Sequence, residues 1–201
     1  VKTIQQKYHV SRGQALSDLQ EIRLQLQELV RPDGACPIHD LEFETQAPFS
    51  ARPTAPYRLD LALTYRCNND CAHCYNVEHP SAGSSATKKE LTTSDWKAVL
   101  DKAWSLGIPH IIFTGGEPTL RNDLPELIAH AEQLGQITGL NTNARRLADA
   151  GYLAELVAAG LDHVQITLES HDAEVHDEMV RAKGAFSQTV RGIRNALASP
   201  L

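Results

Sequence analysis

Three of the four cysteines fall within eight residues, in the run Cys67-Asn68-Asn69-Asp70-Cys71-Ala72-His73-Cys74-Tyr75. A C-x3-C-x2-C spacing lets thiolates from a single loop reach one soft metal centre. Structural zinc and iron–sulfur clusters both ordinarily draw on four protein ligands. This loop supplies three, with His73 or the remote Cys36 as candidates for a fourth. Three thiolates on a four-iron cluster leave one iron open to a substrate or cofactor. On spacing alone, a zinc knuckle completed by His73 and an open-iron cluster stand level.

A second run is Phe113-Thr114-Gly115-Gly116-Glu117-Pro118-Thr119-Leu120. Two glycines and a proline at the end of an apolar strand let the backbone turn sharply and approach a ligand closely. Glu117 is expected at the mouth of the sheet. Taken alone, Gly-Gly is an ordinary strand-to-helix turn. Beside the cysteine run it means more, because a structural zinc loop gives no reason for a glycine motif at a neighbouring strand end.

The elements that must position these residues alternate from Arg58 onward. Strand one is Leu59 to Tyr65, with Leu59, Leu61, Leu63 and Tyr65 on one face and Asp60, Ala62, Thr64 and Arg66 on the other. Strands two, three and four are 110–113, 137–141 and 163–168. Helices follow over 93–106, 124–134, 148–159, 173–180 and 186–197. Gly107, Gly135 and Gly160 act as stops, Asp123 as an N-cap, and Pro125 sits in a first turn. Four βα units in succession imply an α/β fold with a parallel sheet. Strands one and four each carry a polar face. An open doubly wound sheet meets helices on both faces and is apolar on both, so a barrel with a polar lumen fits better. In either fold the chemistry gathers at the C-terminal ends of the strands.

Ahead of this core, residues 1–31 pattern as helix. A short helix covers about Val1 to Tyr8. A longer one opens with a capping box at Ser11 and Gln14 and carries Ala15, Leu19, Ile22, Leu26 and Leu29 on one stripe. Residues 32–57 hold five prolines with little periodicity and are a linker. Ser81 to Thr87 is a loop.

The chain has 201 residues, with 42% hydrophobic and 22% charged, an ordinary globular balance. Its net charge of −6 argues against a phosphate-backbone binder, so nucleic acid is not an expected partner. No stretch approaches the roughly 18 apolar residues of a membrane span, and no export signal opens the chain. Clustered cysteines without such a signal suit a reduced, cytoplasmic protein.

The cysteine run and the Gly-Gly-Glu run together resemble the radical S-adenosylmethionine (radical SAM) superfamily over about residues 58–201. The family signature is C-x3-C-x-Φ-C after the first barrel strand, with GGE after the second. The resemblance implies that Cys67, Cys71 and Cys74 each ligate one iron of a [4Fe–4S] cluster. The fourth iron would be chelated by S-adenosylmethionine. One electron, from a donor such as flavodoxin or ferredoxin, would then cleave the cofactor to a 5′-deoxyadenosyl radical that takes a hydrogen atom from substrate. His73 occupies the Φ position and its flat ring suits the adenine, which weakens the zinc reading. Gly115, Gly116 and Glu117 match the motif for the methionyl amino group. Asn141 and Thr142 match a polar pair facing the cavity, and Thr167 and Glu169 the region of the ribose hydroxyls. Arg181, after His176-Asp177, follows a pattern of peptide-modifying members and either reaches a carboxylate or is a solvated helix charge.

The helices of residues 1–31 resemble the C-terminal part of a small winged-helix peptide-binding domain related to the pyrroloquinoline-quinone peptide chaperone. That implies a ribosomally made precursor peptide as substrate. A small-molecule substrate of molybdenum-cofactor or haem-related biosynthesis is the alternative, and a zinc-stabilised binding module the third. The family barrel has six βα units. Four are read here, so the core is expected to be a partial (β/α) TIM-type barrel, cut from a longer protein that also extends before Val1. His79, His130 and His171 are expected at the surface. His110 and His163 are expected to begin strands away from the site, and Cys36 to be a free thiol.

Overall fold

A computed structural model describes residues 11–29, 55–76 and 90–201. The expected helix at Val1 to Tyr8, the Ser81 to Thr87 loop, Cys36, His79 and most of the 32–57 linker lie outside these residues. The chain divides between Pro53 and Thr54 into two units.

The first unit contributes helix α1, Arg12–Leu29. Ser11 Oγ accepts from the Gln14 backbone N–H at 3.1 Å, as a helix N-cap should. The Gln14 side chain does not return to close the box. It donates forward to Asp18 Oδ1 at 2.6 Å, an i to i+4 pair that a glutamine makes more readily than a strained return.

The second unit is built on β1 (Arg58–Thr64), β2 (His110–Gly115), β3 (Ile137–Thr142) and β4 (His163–Ile166). Between and after them lie α2 (Thr93–Ser105), α3 (Leu124–Leu134), α4 (Ala150–Ala158), α5 (Ala173–Val180) and α6 (Ala185–Leu197). All strand pairs are parallel, and the sheet order is β1-β2-β3-β4. A doubly wound sheet would reverse direction at a switch point. Sequential order is the arrangement of a barrel, here four βα units of it. Leu61, Leu63, Ile111, Phe113 and Leu140 point from the strands into a core shared with Leu100, Leu127, Ile128 and Leu156 of the helices.

Local chemistry sets the boundaries. Thr92 and Asp95 form a reciprocal capping box at the start of α2. Pro125 opens α3, and Gly135 closes it at φ +90°. Asp123 stands at the N-cap position of α3 without capping it. Its carboxylate instead takes Arg121 Nη2 at 2.6 Å and Thr93 Oγ1 at 2.6 Å, because a buried guanidinium is the stronger claimant. The expected helix at 148–159 starts later. Arg146–Ala148 is a 3-10 turn that buries Leu147, and Asp149 caps α4 through the N–H groups of Gly151 and Tyr152. Strand four stops at Ile166, so Leu168 is exposed rather than aligned with Val164. Tyr65 lies past the end of β1 and is likewise exposed. His110 and His163 begin β2 and β4, with ring centroids 5.1 Å apart, at the end opposite the cysteines. His130 is half-buried and pairs with Asp101 at 2.8 Å.

Ala144 adopts φ +59° just after β3, and α6 packs directly on it. A Cβ on Gly192 would lie 2.2 Å from the Ala144 carbonyl oxygen. Backbone cannot yield as a side-chain tip can, so Gly192→Ala is expected to destabilise by about 3 kcal/mol, the upper end for overpacking. Urea denaturation at constant slope checks this.

Candidate functional site

A cavity of about 280 Å³ opens at the C-terminal ends of the strands. Cys67, Cys71 and Cys74 line one side, with His73 and Asn76; Gly115 and Gly116 line the next. Asn141, Thr142 and Asn143 arrive from β3, and Gln165, Thr167 and Glu169 from β4 and the chain after it. The alternating polar face expected for β4 therefore faces the cavity.

The glycine turn does two things. Gly115 has φ +135°, in the region open to glycine. Gly116 donates its N–H to the Thr64 carbonyl at 2.7 Å, and Glu117 donates to the Arg66 carbonyl at 2.8 Å. The turn is thus bonded to the segment that leaves β1 and carries Cys67. A Cβ on Gly116 would sit 2.3 Å from the Arg66 oxygen and 2.7 Å from the Tyr65 oxygen. Gly116→Ala should push that segment away, costing about 1–3 kcal/mol and most of the metal uptake. Melting temperature and bound iron after reconstitution are the two readouts.

Glu117 is not at the mouth. It is fully buried behind the turn. Its Oε1 accepts from Thr119 N at 3.1 Å, Thr119 Oγ1 at 2.6 Å and Thr142 Oγ1 at 2.8 Å, and its Oε2 from Asn143 N at 2.8 Å. Burial pushes its carboxyl above the usual carboxylate range against the pull of these donors. The carboxylate is thus a tie between the ends of β2 and β3, and only the glycines of the motif reach the cavity.

The cysteine loop has little regular structure of its own and is held by its neighbours. Asp70 N–H and Ala72 N–H donate to the Val180 and Met179 carbonyls, both at 2.9 Å. Those carbonyls belong to the last turn of α5, which lacks intrahelical partners for them. From the turn after β3, Asn143 Nδ2 donates to Asn68 Oδ1 at 2.6 Å, and Arg145 Nη1 donates to the Asn68 carbonyl and to Asn69 Oδ1. Arg181 Nη1 lies 3.6 Å from Asp70 Oδ2 with both side chains exposed, a solvated surface pair that contributes little. His73 Nε2 meets Glu169 Oε1 at 3.2 Å across the rim. The Glu169 backbone N–H donates to Nδ1 of the buried His176 at 3.2 Å. Asn143 and Arg145 are not among the residues the sequence singles out, and His176 enters there only as part of the pattern before Arg181. The first two do follow the end of β3 directly, where a strand-end rule could have found them.

The thiols are free. Burial, then the nearby Cys67 and Glu169 charges, push the Cys71 thiol up to about 11. Burial also raises Cys67, more than the Asn69 N–H lowers it. In metal-free protein, alkylation of Cys71 by iodoacetamide should be slow at neutral pH and rise about tenfold per pH unit toward 11, since the thiolate is the nucleophile. Site-resolved mass spectrometry checks it. A soft cation would supply the missing stabilisation of the thiolates.

Among the described residues no three His, Cys, Asp or Glu side chains converge closely enough to hold a single ion, and His73 is engaged with Glu169. The donor set is three soft sulfurs lining one cavity, which suits an iron–sulfur cluster with one iron left open. Asn76 Nδ2, buried on the cavity lining and without a partner among the described residues, leaves a donor for something else to accept.

The profile of the Radical SAM superfamily matches residues 61–200. The chain belongs to the radical SAM superfamily. It is 39% identical over 133 residues to Fe-coproporphyrin III synthase of Methanosarcina barkeri (strain Fusaro / DSM 804), a match that takes in 66% of this chain and 32% of that protein. The chain thus spans about a third of the length of that curated relative. Among solved structures it resembles SuiB of Streptococcus suis, with a TM-score of 0.53 and 20% identity, covering 71% of this chain and 30% of that one. That likeness concerns the fold. As a radical SAM protein the chain is of an enzyme type. No helix among the described residues is long and apolar enough to cross a membrane.

Proposed function

We propose that this radical SAM protein binds a [4Fe–4S] cluster through Cys67, Cys71 and Cys74 and uses it to cleave S-adenosylmethionine reductively. The observation that carries the reading is that all three thiols and the Gly115–Gly116 backbone open on one cavity. When bound, the cluster and cofactor supply a 5′-deoxyadenosyl radical able to take a hydrogen atom from substrate. The chain's own residues bind and orient. The glycine backbone would receive the ammonium end of the cofactor, His73 the adenine, and Thr167, Glu169 and Asn141 the sugar and its surroundings. Glu117 would act from behind, fixing the turn. An electron donor of the flavodoxin or ferredoxin class and a cytoplasmic setting belong to the same proposal.

On substrate, the 39% identity to a protein named Fe-coproporphyrin III synthase favours the haem-related small-molecule reading. The precursor-peptide reading rests on the pattern of residues 1–31 and on Arg181 after His176-Asp177. Formation of 5′-deoxyadenosine with a tetrapyrrole precursor of an iron porphyrin but not with peptides would decide for the former.

The test of the function is anaerobic reconstitution with iron and sulfide, then EPR of the reduced protein. A [4Fe–4S] signal that changes on adding S-adenosylmethionine is expected. Stoichiometric zinc with no such signal would overturn the reading.

A further inference from the structure

Asn143 is held more completely than a cavity residue needs to be. Its backbone N–H donates to Glu117 Oε2 at 2.8 Å, and its carbonyl accepts from Thr189 Oγ1 at 2.9 Å. Its side-chain Oδ1 accepts from the Arg145 N–H at 3.0 Å. That last bond fixes which way the amide points, because only oxygen can accept there. The donor end, Nδ2, is thereby turned toward the cysteine loop. One of its hydrogens goes to Asn68 Oδ1 at 2.6 Å, and the other faces Cys67 Sγ at 3.9 Å. The same sulfur also accepts the Asn69 N–H at 3.4 Å.

A hydrogen bond to a ligating sulfur stabilises the more negative, reduced state of an iron–sulfur centre and raises its reduction potential. We propose that Asn143 is a positioning residue that raises the reduction potential of the cluster by donating from Nδ2 to the Cys67 thiolate. The inference rests on the function proposed above. The step it governs is the acceptance of one electron from an external reductant, with no bond made or broken. Neither the three-cysteine motif nor the glycine motif contains this residue. It reaches the sulfur from the turn just after β3, 76 residues along the chain.

The test is an EPR-monitored redox titration, with dithionite as reductant, of the reconstituted wild type and two variants. Asn143→Ala removes the donor. Asn143→Asp keeps the volume and the acceptor for Arg145, and replaces the donor with a negative charge. Both midpoints should move to more negative potential at unchanged iron content, the Asp variant further. Variants that hold full iron and titrate at the wild-type potential would overturn the inference. So would loss of iron with an unchanged melting temperature, which would make Asn143 a structural clamp on the loop. Should Asn143→Ala fail to fold, the Asp variant decides alone. A wild type with no [4Fe–4S] signal would instead remove the proposed function, and this inference with it.

Discussion

Cys71→Ala is expected to abolish cluster binding while leaving the fold of the metal-free protein intact. The thiol is half-buried on the cavity wall, and no side chain of the core depends on it. Truncation to alanine should therefore move the melting temperature of the metal-free protein little, as for surface changes generally, within about 0.5 kcal/mol. Iron uptake is another matter. Among the described residues, His73 is the substitute ligand within the loop, and it is paired with Glu169 while the loop is bonded at Asp70 and Ala72 to α5, which holds it away from the vacated place. Iron content after reconstitution and S-adenosylmethionine cleavage should both fall to background. Cys71→Ser should fare no better, because a hard hydroxyl is a poor ligand for iron in a thiolate cluster. Retention of the cluster in Cys71→Ala would mean that the ligands lie elsewhere.

The second large effect is expected at Glu117. Alanine there strands the donors of Thr119, Thr142 and Asn143 in a site without solvent. Each unsatisfied buried donor costs about 1–3 kcal/mol, and some repartner, so a net loss of at least about 3 kcal/mol is expected. For a unit of this size that corresponds to a melting temperature lower by roughly 6–12 °C. Glu117→Gln keeps the volume but turns an NH2 toward the Asn143 N–H, donor against donor, and should lose about 1–3 kcal/mol. Calorimetry on both variants gives the comparison. A Gln variant as stable as the wild type would show that the Oε2 contact is dispensable.

The parts of the site that were legible in the sequence are those whose chemistry is local. Cysteine spacing, two glycines at a strand end, and Pro125 with Gly135 around a helix carry their meaning within a few residues. The barrel was read from βα alternation and from polar faces on strands one and four; Gln165 and Thr167, at and just after the end of β4, line the cavity, whereas Asp60 and Thr64 of β1 do not. Glu117 was misplaced for the opposite reason. Its direction is decided by Thr142 and Asn143, 25 and 26 residues on, and a turn motif says nothing of partners on the next strand. Asn143 and Arg145 escaped notice likewise, since Asn68 and Asn69 lie 75 to 77 residues back. Asp123 shows a third kind of miss. The local rule was sound, and a buried arginine outbid it.

The bonds from Asp70 and Ala72 to the last carbonyls of α5 tie the cysteine loop to a helix that carries no cysteine. Thermodynamic linkage makes that connection reciprocal: whatever binds the ordered loop more tightly than the loosened one stabilises the ordered state of both. Loading the site should therefore register at a distance, as slower amide hydrogen exchange at Arg181 and Ala182, whose N–H groups bond the Glu178 and Asp177 carbonyls. Helix α5 is in that sense a built-in reporter, and its exchange rate an occupancy gauge that requires no view of the metal.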